Sequence, residues 1–446
     1  MTLHPAIAIA LIPLSVMLLV VVMGIVRIAA RRYGWSAEIQ RKAVHVATGL
    51  YAMSLPWILP EPWMVYSLLV LAVIVMGVLR IPALAKGGIG SALHGVERSS
   101  WGDVMLVAAV GTLYFFSGNG SVAVLYLLPL AVLTLSDAAA AVAGSGYGRL
   151  VYTIEDGQKS IEGSLVFFMV TWILAMIALL LLSDVPRVSV VMLSVMIAAF
   201  GTVIEADSWR GFDNYFVPVG VLFLVAVHMD SGPVDLILLA LGFLAVLCLL
   251  NVYGGALLGL SKHTARAYTA ALFLIGAVTT LPNMILPASA LLTQTYARRQ
   301  YPGDARHPDL DMLAMLAVVS FGWLICGVAL GHVAISFYGT TCGAMVALLG
   351  PLALAERPFW QRVSLTALLV LLLGVIVSGV IAINPADTRW HGNTVAIVVV
   401  SLVVPALAGL LRPGFFHHNR YAKAGVVSVF VPLVAYLYLL FTQESL

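Results

Sequence analysis

Long apolar runs recur along this 446-residue chain, and they constrain its fold more than any other feature. A helix needs about 20 consecutive apolar residues to cross the hydrocarbon core of a bilayer. Only 10% of the residues are charged and the mean hydropathy is +1.05, whereas soluble domains carry roughly 25% charged residues. The composition therefore excludes a soluble enzyme and predicts an all-α, polytopic integral membrane protein.

The apolar runs predict fourteen membrane spans. They lie near residues 5–26, 43–60, 62–79, 104–117, 122–143, 163–182, 188–204, 214–229, 234–260, 311–331, 332–354, 363–383, 394–411 and 424–441. A further apolar stretch, 267–297, is interrupted by Pro282 and Pro287 and is too long for one span but short for two. We predict a broken helix or hairpin there. Neighbouring helices or a cavity would have to satisfy the backbone N–H and C=O groups that the break leaves without partners. The total is about 14–16 transmembrane helices.

Basic residues set the expected orientation, because loops rich in Lys and Arg stay on the cytosolic side. The first run has no basic segment before it and a strongly basic one after it, which predicts a retained span rather than a cleaved signal peptide. Alternation of spans then puts four polar segments on the cytosolic face: 31–45, 80–103, 136–164 and 205–214. We expect a prokaryotic inner-membrane protein whose active site faces the cytosol.

Charge and cysteine usage exclude some partners. The net charge is +3 and no basic stretch is interleaved with aromatic residues, so no nucleic-acid partner is expected. Cys248, Cys326 and Cys342 are odd in number and lie in apolar segments, which favours small core residues over disulfides or zinc ligands.

The segment 136–164 has the strongest chemical pattern. Asp137 lies near the end of an apolar run, and polar residues at membrane depth are costly enough to require a reason. The glycines of Gly144–Gly148 predict a flexible turn whose backbone N–H groups could approach phosphate oxygens. Arg149 and Lys159 would supply cations for the phosphates. The alternative is an ordinary glycine-bearing turn, with Asp137 paired to a neighbouring helix.

Two other cytosolic segments carry charged side chains. Arg41 and His45 are four residues apart and so share one helix face. With Lys42 they could bind phosphates; the alternatives are membrane anchoring of the two cations and an interhelical hydrogen bond for His45. Downstream, Glu205, Asp207 and Asp213 form an acidic cluster. A metal or substrate site is favoured for Glu205 and Asp213, and a local salt bridge with Arg210 for Asp207.

These motifs resemble the CTP-dependent polyprenol kinases, which include the dolichol kinases and phytol kinases. The central motif runs Asp137-Ala138, Ala140, Gly144, Gly148 and then Lys159-Ser160-Ile161-Glu162-Gly163-Ser164. Upstream, Arg41-Lys42, His45 and Gly49 are similar to the family's early element; downstream, Glu205, Asp213-Asn214 and Pro218 are similar to its late one. The polar stretch Glu97–Asp103 fits less specifically. The resemblance covers about residues 27–230.

The resemblance implies Mg²⁺-assisted transfer of the γ-phosphoryl group of CTP to a membrane-embedded lipid alcohol. It implies catalytic roles for Asp137, Lys159, His45, Glu205 and Asp213, metal ligation by Asp137, Glu162 and Glu205, and substrate binding by Asp213 and Asn214. The implied nucleotide-binding residues are Arg41, Lys42, Gly144, Gly148, Arg149, Lys159, Ser160, Glu162, Gly163 and Ser164. The identity of the alcohol (phytol, another prenol, a dolichol-like polyprenol or diacylglycerol) and of the residue that accepts its proton stay open.

The sequence predicts two domains, and it leaves two other functions open. We predict a kinase-like domain over 1–230 and a helical membrane domain over 231–446, which could deliver the lipid, form a homo-oligomer or carry a second activity. A cytidylyltransferase acting on a lipid phosphate would also use CTP and Mg²⁺. A secondary transporter would explain the many spans, but it predicts coupled midplane sites and a repeat relating the halves, and the sequence has neither.

Overall fold

The computed structural model describes residues 5–79, 102–155, 157–330, 334–385, 388 and 394–443. Helices account for nearly all of this part of the chain. In the first half they are α1 (Pro5–Tyr33), α2 (Ala37–Ile58), α3 (Pro62–Leu79), α4 (Gly102–Phe116), α5 (Ala123–Tyr147), α6 (Ile161–Leu182), α7 (Arg187–Ala206), α8 (Asp213–His228) and α9 (Pro233–Leu258).

The second half continues in the same way. Its helices are α10 (Lys262–Val278), α11 (Ile285–Gln300), α12 (Pro308–Ala329), α13 (Ile335–Ala353), α14 (Phe359–Ile383), α15 (Thr394–Leu411) and α16 (Arg420–Gln443), with short 3-10 turns at Leu281–Met284 and Pro413–Phe416. Within the described residues, nine helices are long and apolar enough to cross a membrane, and four shorter apolar helices accompany them. The predicted all-α, polytopic membrane architecture is confirmed.

The apolar stretch 267–297 is broken, as predicted. The chain leaves α10 at Val278, makes the 3-10 turn Leu281–Met284 and continues as α11. Pro282 lies in that turn and Pro287 in the first turn of α11, where a missing N–H removes no intrahelical hydrogen bond. The two prolines therefore place the break between the helices.

Two local features were absent from the sequence-based prediction. A two-stranded antiparallel hairpin, β1 (Val151–Ile154) and β2 (Gly157–Ser160), joins α5 to α6. Within α5, residues Val132–Ser136 form a π turn, which inserts an extra residue into the helical ladder. Both features adjoin polar residues that the sequence singled out.

The chain forms two compact units, unit 1 (residues 1–242) and unit 2 (residues 243–446). The division falls inside α9, whereas the sequence-based boundary follows residue 230. In unit 1, α5 packs against α2, α4, α6 and α8. In unit 2, the almost wholly buried α13 packs against α11, α14, α15 and α16.

Candidate functional site

Asp137 is buried in the centre of unit 1, directly after the π turn of α5. The Lys42 ammonium of α2 donates to both of its carboxylate oxygens at 2.6 Å. Both residues are less than a tenth exposed. Because a buried charge is costly unless it is paired, this ion pair accounts for how two charges persist between apolar helices. The sequence alternative in which Asp137 pairs with a neighbouring helix describes this contact.

His45 lies one turn beyond Lys42 and also reaches α5. Its Nε2 is 3.1 Å from the carbonyl oxygen of Leu133 and 3.5 Å from Asp137 Oδ2. A carbonyl oxygen only accepts, so Nε2 carries the proton and donates. Leu133 lies in the π turn, where the altered ladder changes which carbonyls are used inside the helix. His45 therefore holds α2 against the π turn, and its Nε2 is not a proton acceptor in this arrangement.

Lys159 is placed by the hairpin, where it pairs with Tyr152 across the two strands. Its ammonium lies 2.6 Å from Glu205 Oε1 and also donates to the Glu205 backbone carbonyl at the end of α7. Burial disfavours the charged amine, but the carboxylates of Glu205 and Asp213 outweigh burial and raise the pKa of Lys159 above its ordinary value. Lys159 therefore stays protonated at neutral pH.

The start of α8 brings a third carboxylate to the same place. The backbone N–H of Asp213 donates to Ser208 Oγ at 2.7 Å, which fixes the first residue of the helix. The Asp213 carboxylate interacts electrostatically with Lys159 and Arg41. Among the described residues no hydrogen bond or ion pair engages that carboxylate. The neighbouring Asn214 donates to the Gly102 carbonyl at 2.7 Å and so ties α8 to α4.

Five separate elements of unit 1 thus meet around one group of charges. Asp137 also interacts electrostatically with Lys159, and Glu205 with both Asp137 and Asp213. We call this group the charged cluster; its members are Lys42, His45, Asp137, Lys159, Glu205 and Asp213. All five predicted catalytic residues belong to it, together with Lys42.

The predicted glycine turn is wrong in its local structure. Gly144 and Gly146 lie inside α5, which continues to Tyr147 and ends at Gly148. A Cβ on Gly144 would lie 2.9 Å from Ser160 Oγ, and one on Gly163 would lie 3.0 Å from the Ala140 carbonyl oxygen. A Cβ on Gly148 would collide with the Gly144 carbonyl. These glycines therefore let the end of α5 approach the start of α6 closely.

The residues that begin α6 stabilise that junction. Ser160 is the N-cap and accepts the Gly163 N–H at 3.1 Å. Glu162 accepts the backbone N–H groups of Arg149 at 2.9 Å and Leu150 at 3.1 Å. Ser164 shares a 2.8 Å hydrogen bond with Tyr152.

The predicted metal ligands are Asp137, Glu162 and Glu205. In the part of the chain that the structure describes, no three His, Cys, Asp or Glu side chains are grouped closely enough to hold a metal ion. Glu162 binds backbone N–H groups, while Asp137 and Glu205 interact with each other electrostatically. Two of the three predicted carboxylates are therefore brought together, and Glu162 stabilises the chain that follows α5.

Two further predicted nucleotide-binding cations are exposed. Arg41 pairs with Glu38 at 2.7 Å on the surface of α2, and Arg149 is exposed just after α5. The polar stretch 97–101 lies outside the described residues, while Gly102 and Asp103 begin α4.

Tyr152 is a site residue that the sequence reasoning missed. It faces Lys159 across the hairpin and interacts electrostatically with Glu205. The available signal was the Asp156-Gly157 dipeptide between two short alternating segments, which is typical of a hairpin. No sequence pattern indicates the π turn.

A comparison with known proteins finds a relative of this chain. The chain is 28% identical to the phytol kinase of Synechocystis over 189 residues, which cover 41% of this chain and 76% of the relative. This similarity supports a kinase-like, membrane-bound enzyme. No family model matches the chain, and no solved structure matches it.

Proposed function

We propose that the charged cluster of unit 1 is the active site of a kinase that phosphorylates a membrane-embedded lipid alcohol with CTP and Mg²⁺ at the cytosolic face. The observation that carries the proposal is the meeting of six ionisable side chains from five elements inside a unit of apolar helices. Intramembrane ionisable groups are costly and commonly mark function. The similarity to a phytol kinase also supports a kinase.

Phosphoryl transfer depends on positioning and charge neutralisation more than on covalent catalysis. In this proposal Lys42 and Lys159 bind the triphosphate oxygens, each exchanging its carboxylate partner for phosphate when the nucleotide arrives. Both ammonium groups already lie at the cluster, 2.6 Å from Asp137 and Glu205 respectively. Arg149 and Arg41 are exposed, and they would contact the part of the nucleotide that faces solvent.

The carboxylates fit a magnesium ion of the type used with nucleotides. Mg²⁺ usually takes one or two protein carboxylates, with phosphate oxygens and water as its other ligands. Asp137 and Glu205 are buried and near each other, so they would hold the ion between them. When bound, the ion would neutralise charge on the β- and γ-phosphates. Glu162 would order the Arg149 backbone rather than ligate the metal.

Asp213 is the proposed proton acceptor. His45 Nε2 donates to Leu133, and Glu205 would hold the metal ion, whereas the Asp213 carboxylate has no hydrogen-bond partner among the described residues. The lipid hydroxyl oxygen would bond to the γ-phosphorus as the bond to the β–γ bridging oxygen breaks. CDP leaves, and the hydroxyl proton passes to Asp213.

The test is a labelling assay on membranes that contain the full chain. The membranes are incubated with Mg²⁺, a panel of lipid alcohols, and CTP or ATP labelled in the γ-phosphate. Label in a lipid phosphate is the expected result, and the better alcohol and nucleotide identify the substrates. Transfer of a cytidylyl group to a lipid phosphate would favour the cytidylyltransferase. No labelled lipid with any acceptor would overturn the proposal.

A further inference from the structure

Arg420, the first residue of α16 in unit 2, is a buried cation that no carboxylate of the described residues pairs with. Only 5% of its surface is exposed. Its Nε donates to the Phe416 carbonyl at 3.2 Å, its Nη2 donates to the Tyr301 carbonyl, and the guanidinium lies 5.7 Å from the centre of the Tyr301 ring. Among the described residues, no acid pairs with it and no acceptor meets Nη1. A buried charge without a counter-charge indicates that the counter-charge comes from a ligand.

A small cavity opens beside this guanidinium. Its volume is about 10 Å³, and its lining includes Gln294, Gly303, His417, Arg420 and Tyr421. That volume holds one water-sized oxygen atom. Any side chain at Gly303 would narrow the site, since its Cβ would lie 2.9 Å from the His417 carbonyl oxygen and 3.6 Å from Arg420 Nη2. The cavity thus admits one oxygen of a larger group that approaches from outside.

Gln294 supplies a second polar group on the cavity wall. It is 2% exposed, and its Oε1 has no hydrogen-bond partner within the described part of the chain. Its amide nitrogen makes only a long contact, 3.4 Å to the Pro308 carbonyl. Rotating the amide by half a turn would present its N–H donors to the cavity instead. A buried, incompletely satisfied amide next to an uncompensated guanidinium is the donor set of an oxyanion site.

The acidic side chain that also lines the cavity is already engaged. Asp304 accepts a 2.9 Å hydrogen bond from His418 and is partly exposed, and no hydrogen bond or ion pair among the described residues joins it to Arg420. The nearby Lys423 donates to the backbone carbonyl of Phe415 at 2.7 Å. Among the described residues, no acidic side chain therefore pairs with either of these two cations.

We propose that this site binds a phosphate group, either free or carried by a lipid headgroup, with one oxygen in the cavity against Arg420. The guanidinium fork matches the geometry of a phosphate oxyanion. Arg420 begins a helix that is long and apolar enough to cross a membrane, and the end of such a helix is where a bilayer presents headgroup phosphates. The site lies in unit 2 and does not depend on the kinase activity proposed for unit 1.

Thermal unfolding of the purified full chain in a neutral detergent tests this proposal. One arm adds inorganic phosphate, and the other adds phosphatidic acid, with diacylglycerol as the matched lipid that lacks phosphate. Arg420→Gln removes the cation, and Gln294→Glu places a carboxylate on the cavity wall. Lys423→Gln is the control, because it removes one charge from the same helix outside the cavity lining.

A ligand that binds the folded state raises its melting temperature. We expect wild type and Lys423→Gln to be stabilised by phosphate, phosphatidic acid or both, and the effective arm identifies the source. Arg420→Gln should need at least about tenfold more ligand for the same shift, and Gln294→Glu should lose the shift. The proposal is overturned if neither ligand stabilises wild type, or if the cavity variants respond as wild type does. Should Arg420→Gln fail to fold, the Gln294→Glu result decides alone.

Discussion

The two units hold buried charge in different ways. In unit 1, Lys42 meets Asp137 and Lys159 meets Glu205, so each pair joins parts of the chain that are distant in sequence. In unit 2, the pair Arg298–Asp309 only flanks the loop between consecutive helices. Charges at neighbouring helix ends are what membrane anchoring and capping require. Opposite charges gathered from separate elements of the chain serve no anchoring purpose, and this difference is why we propose unit 1 as the site of the chemistry.

We expect the largest loss of activity when the Lys42–Asp137 pair of unit 1 is broken, and little loss when the Arg298–Asp309 pair of unit 2 is broken. Asp137→Ala should abolish lipid phosphorylation while the protein still inserts into the membrane, because the proposed metal ligand is gone. Asp309→Asn in unit 2 should leave phosphorylation within about twofold of wild type. Asp137→Ala can also cost about 3–5 kcal/mol by stranding the buried Lys42, whereas Asp309→Asn leaves the partly exposed Arg298 and should cost less. Activity per folded molecule, measured beside the melting temperature, checks both. Normal phosphorylation by Asp137→Ala would remove the metal assignment.

A double variant distinguishes chemistry from stability at this pair. Asp137→Asn leaves the Lys42 ammonium buried and unpaired, and adding Lys42→Met removes that stranded charge. We expect the double variant to recover most of the lost melting temperature and none of the activity. Recovery of both would mean that the pair is structural, as in unit 2.

Asp213→Asn should cause the next largest loss of activity. Loss of a general base lowers kcat by about 10²–10⁴, while the KM for nucleotide should change little because the lysines are intact. Asn214→Ala is the neighbouring control; it loses the hydrogen bond to Gly102 and should lower the melting temperature more than kcat. A rise in nucleotide KM with unchanged kcat would argue against Asp213 as the base.

Lys159→Met should lower kcat by about 10²–10³, the usual loss for one donor that stabilises transition-state charge. Arg149→Gln removes an exposed cation of the same loop and should cost less than about tenfold. Equal losses would show that the outer loop, rather than the buried cluster, binds the reacting phosphates. Steady-state kinetics with varied nucleotide distinguishes these outcomes.

The smallest effect concerns the glycines beside the charged cluster. Gly146 has open space where a Cβ would be, so Gly146→Ala should stabilise unit 1 by about 0.5–1 kcal/mol. Gly144→Ala would press on Ser160 and should destabilise it by about 1–3 kcal/mol. Thermal unfolding of the pair is the measurement. If both substitutions changed the stability in the same direction, close packing of α5 on α6 would not explain why position 144 is a glycine.

The sequence predicted the helices well because apolar length and proline position are local signals. The break near Pro282 is an example that needs no tertiary information. The Lys42–Asp137 pair was not predicted as a pair, since it depends on how α2 and α5 are rotated against each other. The glycine turn was wrong because Gly144 and Gly146 continue a helix that packing stabilises against their low helix propensity.

The π turn at Val132–Ser136 lets α5 carry one extra residue directly before Asp137. A π turn is equivalent to one residue inserted into a regular helix, and each residue of a regular helix turns the chain by about 100°. The widened turn absorbs that extra residue, so deleting a single residue there would restore a regular helix without turning the Asp137 carboxylate away from α2. The contact of His45 with the Leu133 carbonyl would change instead, because Leu133 lies in the widened turn. Relatives that share this chemistry can therefore differ by one residue between Tyr126 and Asp137.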